Sequence, residues 1–200
     1  MGGHRHEDVL KTDEMEEAVS ALEMVAEQSA HVQEDPYRWK WVILAVHNAL
    51  QGFMVLALRG SDGLLPLRDE VAQAWLKSYR ERRSPPQERL DSFLSLYKKV
   101  KSDRLLFYAH SMKFSPREDQ ERSVRKLNSL RNEFIHFLPR LWLLDLSGLP
   151  EICLDCLDVI EFLGWQSGNI FWHNGGREDR AQKALAATKG VLEERKQASV

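Results

Sequence analysis

The sequence contains few cysteines and almost no strand-like alternation of apolar and polar residues. Its two cysteines, Cys153 and Cys156, are too few for a disulfide framework, and also too few for a zinc site, which needs about four ligands. The missing alternation excludes a protein built mainly from β-strands. The phosphate loop and the GxGxxG, HExxH and GxSxG motifs are also absent, which excludes the enzyme classes that depend on them.

Only one long apolar run, residues 41–58, raises the question of a membrane span. Four polar or small residues interrupt it, namely His47, Asn48, Gln51 and Gly52. A buried helix at the centre of a helical domain therefore explains the run better, and we expect no membrane partner. Residues 1–12 are polar and lack the apolar core of a signal peptide, so we expect a flexible N-terminus and a cytoplasmic protein.

Segments rich in helix-favouring residues alternate with short clusters of proline, glycine, serine and aspartate. Asp35-Pro36 is one such break, because proline cannot continue a helix. The segment Leu105–Tyr108 is read either as a short strand or as an irregular apolar link. The pattern predicts helices at residues 13–33, 36–59, 66–83, 87–101, 116–138, 150–163 and 177–196.

These helices predict an all-α protein, a compact bundle of about four to five core helices with additional N- and C-terminal helices. We expect one helical domain over residues 13–165, followed by a loop and a C-terminal helical extension over residues 166–200. The helix at 116–138 has the clearest start signal. Ser115 suits the N-cap, Pro116 suits the first helical position, and Glu118 completes a capping box.

The same helix carries an arginine in its apolar stripe. At about 100° per residue, Arg131 falls in the middle of the face that also holds Leu127 and Ile135. A charged group there is costly unless it is paired or faces a cleft. Asn132 and His136 share a neighbouring face, and histidine exchanges protons near neutral pH. The residues alone leave two interpretations open: a structural ion pair with a partly buried histidine, or a functional group.

The segment Leu130–Phe137 reads LRNEFIHF. It resembles the signature of HEPN (higher eukaryotes and prokaryotes nucleotide-binding) domains, in which a histidine follows an arginine a few residues later and a polar residue often stands directly after the arginine. Arg131, Asn132 and His136 match that form. The resemblance implies a compact helical bundle that is usually dimeric, with the motifs of two protomers meeting in one cleft.

The resemblance also implies metal-independent RNA cleavage without a cofactor. His136 would be the general acid or base acting on the 2′-hydroxyl or the leaving oxygen, and Arg131 would stabilise charge on the phosphate. Asn132 would orient one of them. The implied partners are a second copy of the chain and an RNA substrate. An inhibitor protein or a trigger is expected as well, since an unregulated ribonuclease is toxic; a defence, stress or toxin role would fit.

Two other interpretations stay open. The first is a non-catalytic HEPN-like module that binds a nucleotide, RNA or another protein. The second is a purely structural helical dimer, which predicts Arg131 buried against an acidic partner without a cleft. The ribonuclease and the non-catalytic module differ in whether Arg131 and His136 share a solvent-open cleft with a basic rim.

Two further groups of residues are predicted to support the site. On the helix at 36–59, His47 and Gln51 belong to a narrow polar seam, and we expect one of them to touch the Arg131 cluster. The net charge of −2 predicts no strong overall attraction to nucleic acid, yet residues 77–104 hold nine basic against four acidic residues. The predicted RNA-binding rim consists of Arg80, Arg82, Arg83, Lys98, Lys99 and Lys101.

Overall fold

The computed structural model describes residues 9–136, 139, 141–173 and 175–198, and over these ranges it is all-α, as predicted. The predicted flexibility of residues 1–12 concerns mainly residues outside these ranges. The helices are α1 (Glu14–Ser29), α2 (Arg38–Leu58), α3 (Asp69–Arg80), α4 (Phe93–Val100), α5 (Glu118–Ile135), α6 (Leu149–Glu161) and α7 (Gly175–Ala198). A 3₁₀ turn at Asp103–Leu105 follows α4, and α6 continues into a wider π-helical turn at Phe162–Gln166.

Helix α2 forms the centre of the bundle, because it is apolar on nearly every side. It packs against α1, α4, α5 and α6, and α7 packs on α1 and α6. Gly52 allows α1 to approach closely, since a β-carbon at this position would lie 2.8 Å from the β-carbon of Ala18. By length and composition α2 is able to cross a membrane, but two thirds of its apolar window, 67%, are buried inside the protein, so it is a core helix.

The C-terminal helix is part of this bundle rather than an appendage to it. Ala181, Leu185 and Leu192 are buried on α7 and belong to the same hydrophobic core as the residues of α1 and α2. Residues 166–200 were predicted to be a separate extension because their amphipathic pattern is weak. Small residues such as Ala181 and Ala184 form the packing face, and they give little periodic signal.

Helix α3 differs from the others. Within the described ranges it contains no buried residue and packs against no other helix. An antiparallel bridge between Leu67 and Leu90 closes the excursion that carries it. We call residues 67–90 the α3 arm.

The start of α5 is shifted from its predicted position. The helix begins at Glu118 rather than Pro116, and its N-cap is Arg117. The backbone N–H of Arg117 donates to the side-chain Oε1 of Gln120 at 3.0 Å, so glutamine at the third position, rather than Glu118, satisfies the free backbone donor. The segment Leu105–Tyr108 contains the end of the 3₁₀ turn and then irregular chain, not a strand.

Candidate functional site on helix α5

Helix α5 presents the motif at its C-terminal end. Val124, Leu127 and Leu130 are buried, while Arg131 is half-buried and Ile135 is exposed. The buried stripe is therefore centred close to Leu127, and Arg131 lies about 40° from that centre. The expectation that Arg131 occupies the middle of the stripe was wrong. An arginine at the margin keeps its aliphatic stem against apolar neighbours and its charge near the surface.

The guanidinium of Arg131 is incompletely satisfied. Its Nη1 donates to the Oδ1 of Asn132 at 3.0 Å. Its Nε is shielded from solvent and has no hydrogen-bond partner among the residues that the structure describes. In the described part of the chain, no carboxylate oxygen lies within 4.0 Å of Arg131. The structural interpretation of Arg131, which requires an acidic partner, finds no such partner among these residues.

His136 is the first residue after α5. Its backbone N–H still donates to the carbonyl oxygen of Asn132 at 2.8 Å, but its own φ of −96° and ψ of 48° have left the helix. Its side chain is exposed. His136 is therefore the last residue that a helical hydrogen bond holds on α5, and the chain leaves the direction of the helix after it.

His47 lies beneath this end of α5. The side chain is buried, stacks on the ring of Phe93 at 3.9 Å, and its Nε2–H donates to the Oδ1 of Asn128 at 3.3 Å. The pKa of His47 is lowered to about 4, mainly by burial. The positive charge of Arg131 adds to this effect, and the hydrogen bond to Asn128 opposes it. The imidazole is therefore neutral at physiological pH, and its buried Nδ1 has no hydrogen-bond partner within the described ranges.

The structure separates the two members of the predicted polar seam. His47 reaches α5 through Asn128, one turn before Asn132. Gln51 instead lines the groove between α1 and α2, together with Asn48 and Gly52. Helical periodicity places the two residues on one face of α2, but it does not show that α1 covers one side of the seam. Asn128, which was not among the predicted site residues, joins His47 to α5.

The predicted basic rim is only partly at the surface. Arg80, Arg82, Arg83 and Lys98 are exposed. Lys99 was wrongly placed in the rim: its side chain is 7% exposed, and its ammonium contacts the carbonyl oxygens of Leu65 and Leu67 and the carboxylates of Asp69 and Asp91. Lys101 is half-buried and pairs with Glu121 at 2.7 Å. Neither lysine presents a free charge to a ligand.

An apolar groove of about 510 Å³ adjoins the motif. Trp39 and Lys40 of α2, Phe134 of α5 and Trp142 form part of its lining, and the rings of Phe134 and Trp142 meet edge to face at 4.9 Å. Both cysteines are buried on α6, where burial raises the pKa of Cys153 to about 12. Among the described residues, no three His, Cys, Asp or Glu side chains are grouped closely enough to hold a metal ion.

The site therefore combines an uncompensated guanidinium, the Asn132 amide that holds it and an exposed imidazole at the end of the same helix. Such groups can bind a phosphate and move a proton. Comparison with known proteins gives no family model, no curated protein and no solved structure that matches the chain.

Proposed function

We propose that the protein is a metal-independent ribonuclease of the HEPN type. One observation carries the proposal: the Arg131 guanidinium is held by Asn132, has no carboxylate within 4.0 Å in the described chain, and lies five residues before the exposed His136. A half-buried arginine without an acid is a natural counterion for a phosphate, which a planar guanidinium binds through two hydrogen bonds.

The chemistry fits these groups. RNA carries its own nucleophile, so the enzyme needs to position the chain, transfer protons and stabilise charge. The 2′-oxygen attacks the adjacent phosphorus while a base accepts its proton, and the bond from phosphorus to the 5′-oxygen breaks as an acid protonates that oxygen. His136 supplies the acid or base, and Arg131 stabilises the charge on the phosphate oxygens. The products are a 2′,3′-cyclic phosphate and a free 5′-hydroxyl.

His47 and Asn128 support this site from below. The neutral imidazole adds no second positive charge next to Arg131, so the guanidinium keeps its attraction for an anion without local repulsion from the core. The hydrogen bond to Asn128 fixes the face of α5 relative to α2. Both residues are positioning residues in this proposal, because neither is exposed to a substrate as Asn132 and His136 are.

A homodimer in the cytoplasm is part of the proposal. Exposed apolar side chains surround the motif end of α5: Ile135 is 47% exposed, Leu141 87% and Leu143 85%. Exposed apolar clusters of this kind mark interaction surfaces. Two copies meeting here would bring two Arg131–His136 sets together, so that one histidine serves as base and the other as acid. An inhibitor protein or a trigger that controls the activity in defence or stress also belongs to the proposal.

The experiment is cleavage of end-labelled total RNA in EDTA by the wild type, by His136→Ala and by His31→Ala. His31 is exposed and lies between α1 and α2, so it is a matched control for loss of a surface histidine. We expect wild type and His31→Ala to cleave equally and His136→Ala to lose at least about a hundredfold in rate. Equal cleavage by all three would exclude His136 from the chemistry. Binding without cleavage by the wild type would support the non-catalytic module instead.

The dimer is tested with Leu143→Glu. Because Leu143 is exposed, the substitution should leave thermal stability unchanged while turning a dimer into a monomer in sedimentation, with cleavage lost in parallel. A wild type that is monomeric and active would contradict the shared site.

A further inference from the structure

The α3 arm is held at its base and free along its length. Lys99 fixes the base through the carbonyl oxygens of Leu65 and Leu67, at 3.1 and 2.6 Å, and through the carboxylate of Asp91 at 2.8 Å. Arg104 adds a two-bond contact to Asp69 at the start of α3, at 2.7 and 3.2 Å. Beyond these tethers α3 contacts no other helix of the described chain. An element without a core contact, yet anchored this firmly, is placed to meet something outside the fold.

Aromatic side chains stand on the free part of the arm. Val71, Trp75 and Tyr79 recur at every fourth position, so they share one face of α3. The rings of Trp75 and Tyr79 lie 5.8 Å apart at an interplanar angle of 10°, and Tyr79 is 72% exposed. Trp75 is not a core residue, because α3 has no buried residue.

Four basic residues lie close to Trp75 and Tyr79 along the chain. Lys77 and Arg80 lie in the last turn of α3, and Arg82 and Arg83 follow directly. Arg83 pairs with Glu81 at 3.2 Å, whereas the other three have no carboxylate within 4.0 Å among the described residues. All four side chains are exposed. The end of the arm therefore offers guanidinium groups without counterions next to a stacked aromatic pair.

Arg82 occupies a position that suits glycine. Its φ of 53° lies in the left-handed region, where it ends α3 and lets the N–H of Arg83 donate to the carbonyl oxygen of Ser78 at 2.9 Å. Arg82 is the only non-glycine residue with positive φ in the described ranges. An arginine here bears a backbone cost that glycine avoids, so its side chain is explained by something other than the turn.

We propose that the α3 arm binds single-stranded RNA, with bases stacking on Trp75 and Tyr79 and the arginines at the end of α3 contacting phosphates. The inference rests on the proposed function for the identity of the ligand as RNA. The unpaired bases of a single strand can stack on aromatic rings, whereas those of a duplex are already stacked on one another. An anionic membrane fits these residues less well, because Val71 and Ala72 are half-buried and Leu76, 41% exposed, is the one large aliphatic side chain that α3 exposes.

The test measures binding by fluorescence anisotropy in EDTA. The probe is a labelled single-stranded uridine 20-mer, and a labelled RNA duplex of the same length is measured separately for comparison. All variants carry His136→Ala, so that cleavage does not consume the probe. Tyr79→Ala should weaken binding of the single strand by about tenfold, the loss of one stacked base. Arg82→Gly should weaken it about threefold to tenfold and reduce its salt dependence, while raising the melting temperature. Arg122→Ala, an exposed arginine of α5, removes the same charge elsewhere and should change binding by less than about twofold.

Each outcome decides the inference. Loss of single-strand affinity in Tyr79→Ala and Arg82→Gly, but not in Arg122→Ala, supports it. Unchanged affinity in both arm variants overturns it, as does Tyr79-dependent binding to phosphatidylserine vesicles with none to RNA. The two proposals fail separately. Cleavage by the wild type, together with normal binding by the arm variants, rejects only the arm. Arm-dependent binding in the His136→Ala background, together with a wild type that never cleaves RNA, rejects only the ribonuclease.

Discussion

Lys99, which is buried, and Arg131, which is half-buried, were both assigned to an RNA site from the sequence. Their surroundings in the structure are opposite. Lys99 is surrounded by two carbonyl oxygens and two carboxylates. Arg131 has one amide oxygen, from Asn132, and an Nε without a partner among the described residues. A buried cation with a complete set of oxygens is explained by the fold. A half-buried cation without such a set is able to bind a ligand, and we propose that this ligand is a phosphate.

The contrast is sharpest in the loss of Lys99. In Lys99→Met the carboxylate of Asp91, 17% exposed, and two carbonyl oxygens lose their shared partner. Removing one partner of a buried ion pair costs about 3–5 kcal/mol, which urea denaturation will show as a lower midpoint. Lys101→Met is the control, because its half-buried ion pair with Glu121 should contribute no more than about 1 kcal/mol. If both variants had the same urea midpoint, Lys99 would have no special structural role.

His47 gives the next largest effect, through pH. Its pKa is about 4 in the folded protein, mainly because of burial, against 6.5 in the unfolded chain. Between these values the unfolded chain holds a proton that the native state lacks, so stability present above pH 6.5 is lost as the pH falls towards 4. The loss is about 3 kcal/mol. In His47→Gln the pH dependence over this window should be weaker by that amount in denaturation series. Superimposable pH profiles would contradict the buried neutral imidazole.

The smallest effect is expected for the stability of Arg131→Met. The variant removes an unsatisfied Nε and no ion pair within the described chain, so the free energy of unfolding should change by less than about 1 kcal/mol. The pKa of His47 should rise in NMR titrations, although burial still holds it below 6.5. A loss of stability comparable to that of Lys99→Met would show that the fold needs Arg131 as much as Lys99, which contradicts the difference proposed between them.

Much of the fold followed from the sequence. The centres of the helices were predicted because turn residues separate them, and α2 was placed in the core because its apolar run is continuous. The boundaries were less predictable. At α5, Gln120 and Glu118 are both able to complete a capping box, and only the structure shows that Gln120 does. At α7, alanines form the packing face and leave no periodic signal.

The site was harder to predict, since its environment comes from distant parts of the chain. The oxygens around Lys99 belong to residues 65–69 and 91, and no local sequence pattern predicts that they contact the same ammonium group. Trp75 resembles a core residue until α3 is seen to lack a packing partner. Helical periodicity makes His47 and Gln51 equivalent. They differ only because α1 lies beside Gln51 and α5 lies beside His47.

The central claim is that Arg131, Asn132 and His136 cleave RNA through its own 2′-hydroxyl. The most direct measurement is mass spectrometry of the ends produced from a defined single-stranded RNA in EDTA by the wild type and by Arg131→Ala. The prediction is 2′,3′-cyclic phosphate and 5′-hydroxyl ends from the wild type, with the rate reduced about 100- to 1,000-fold in Arg131→Ala. Ends carrying a 3′-hydroxyl and a 5′-phosphate, or the same rate in both proteins, would contradict it.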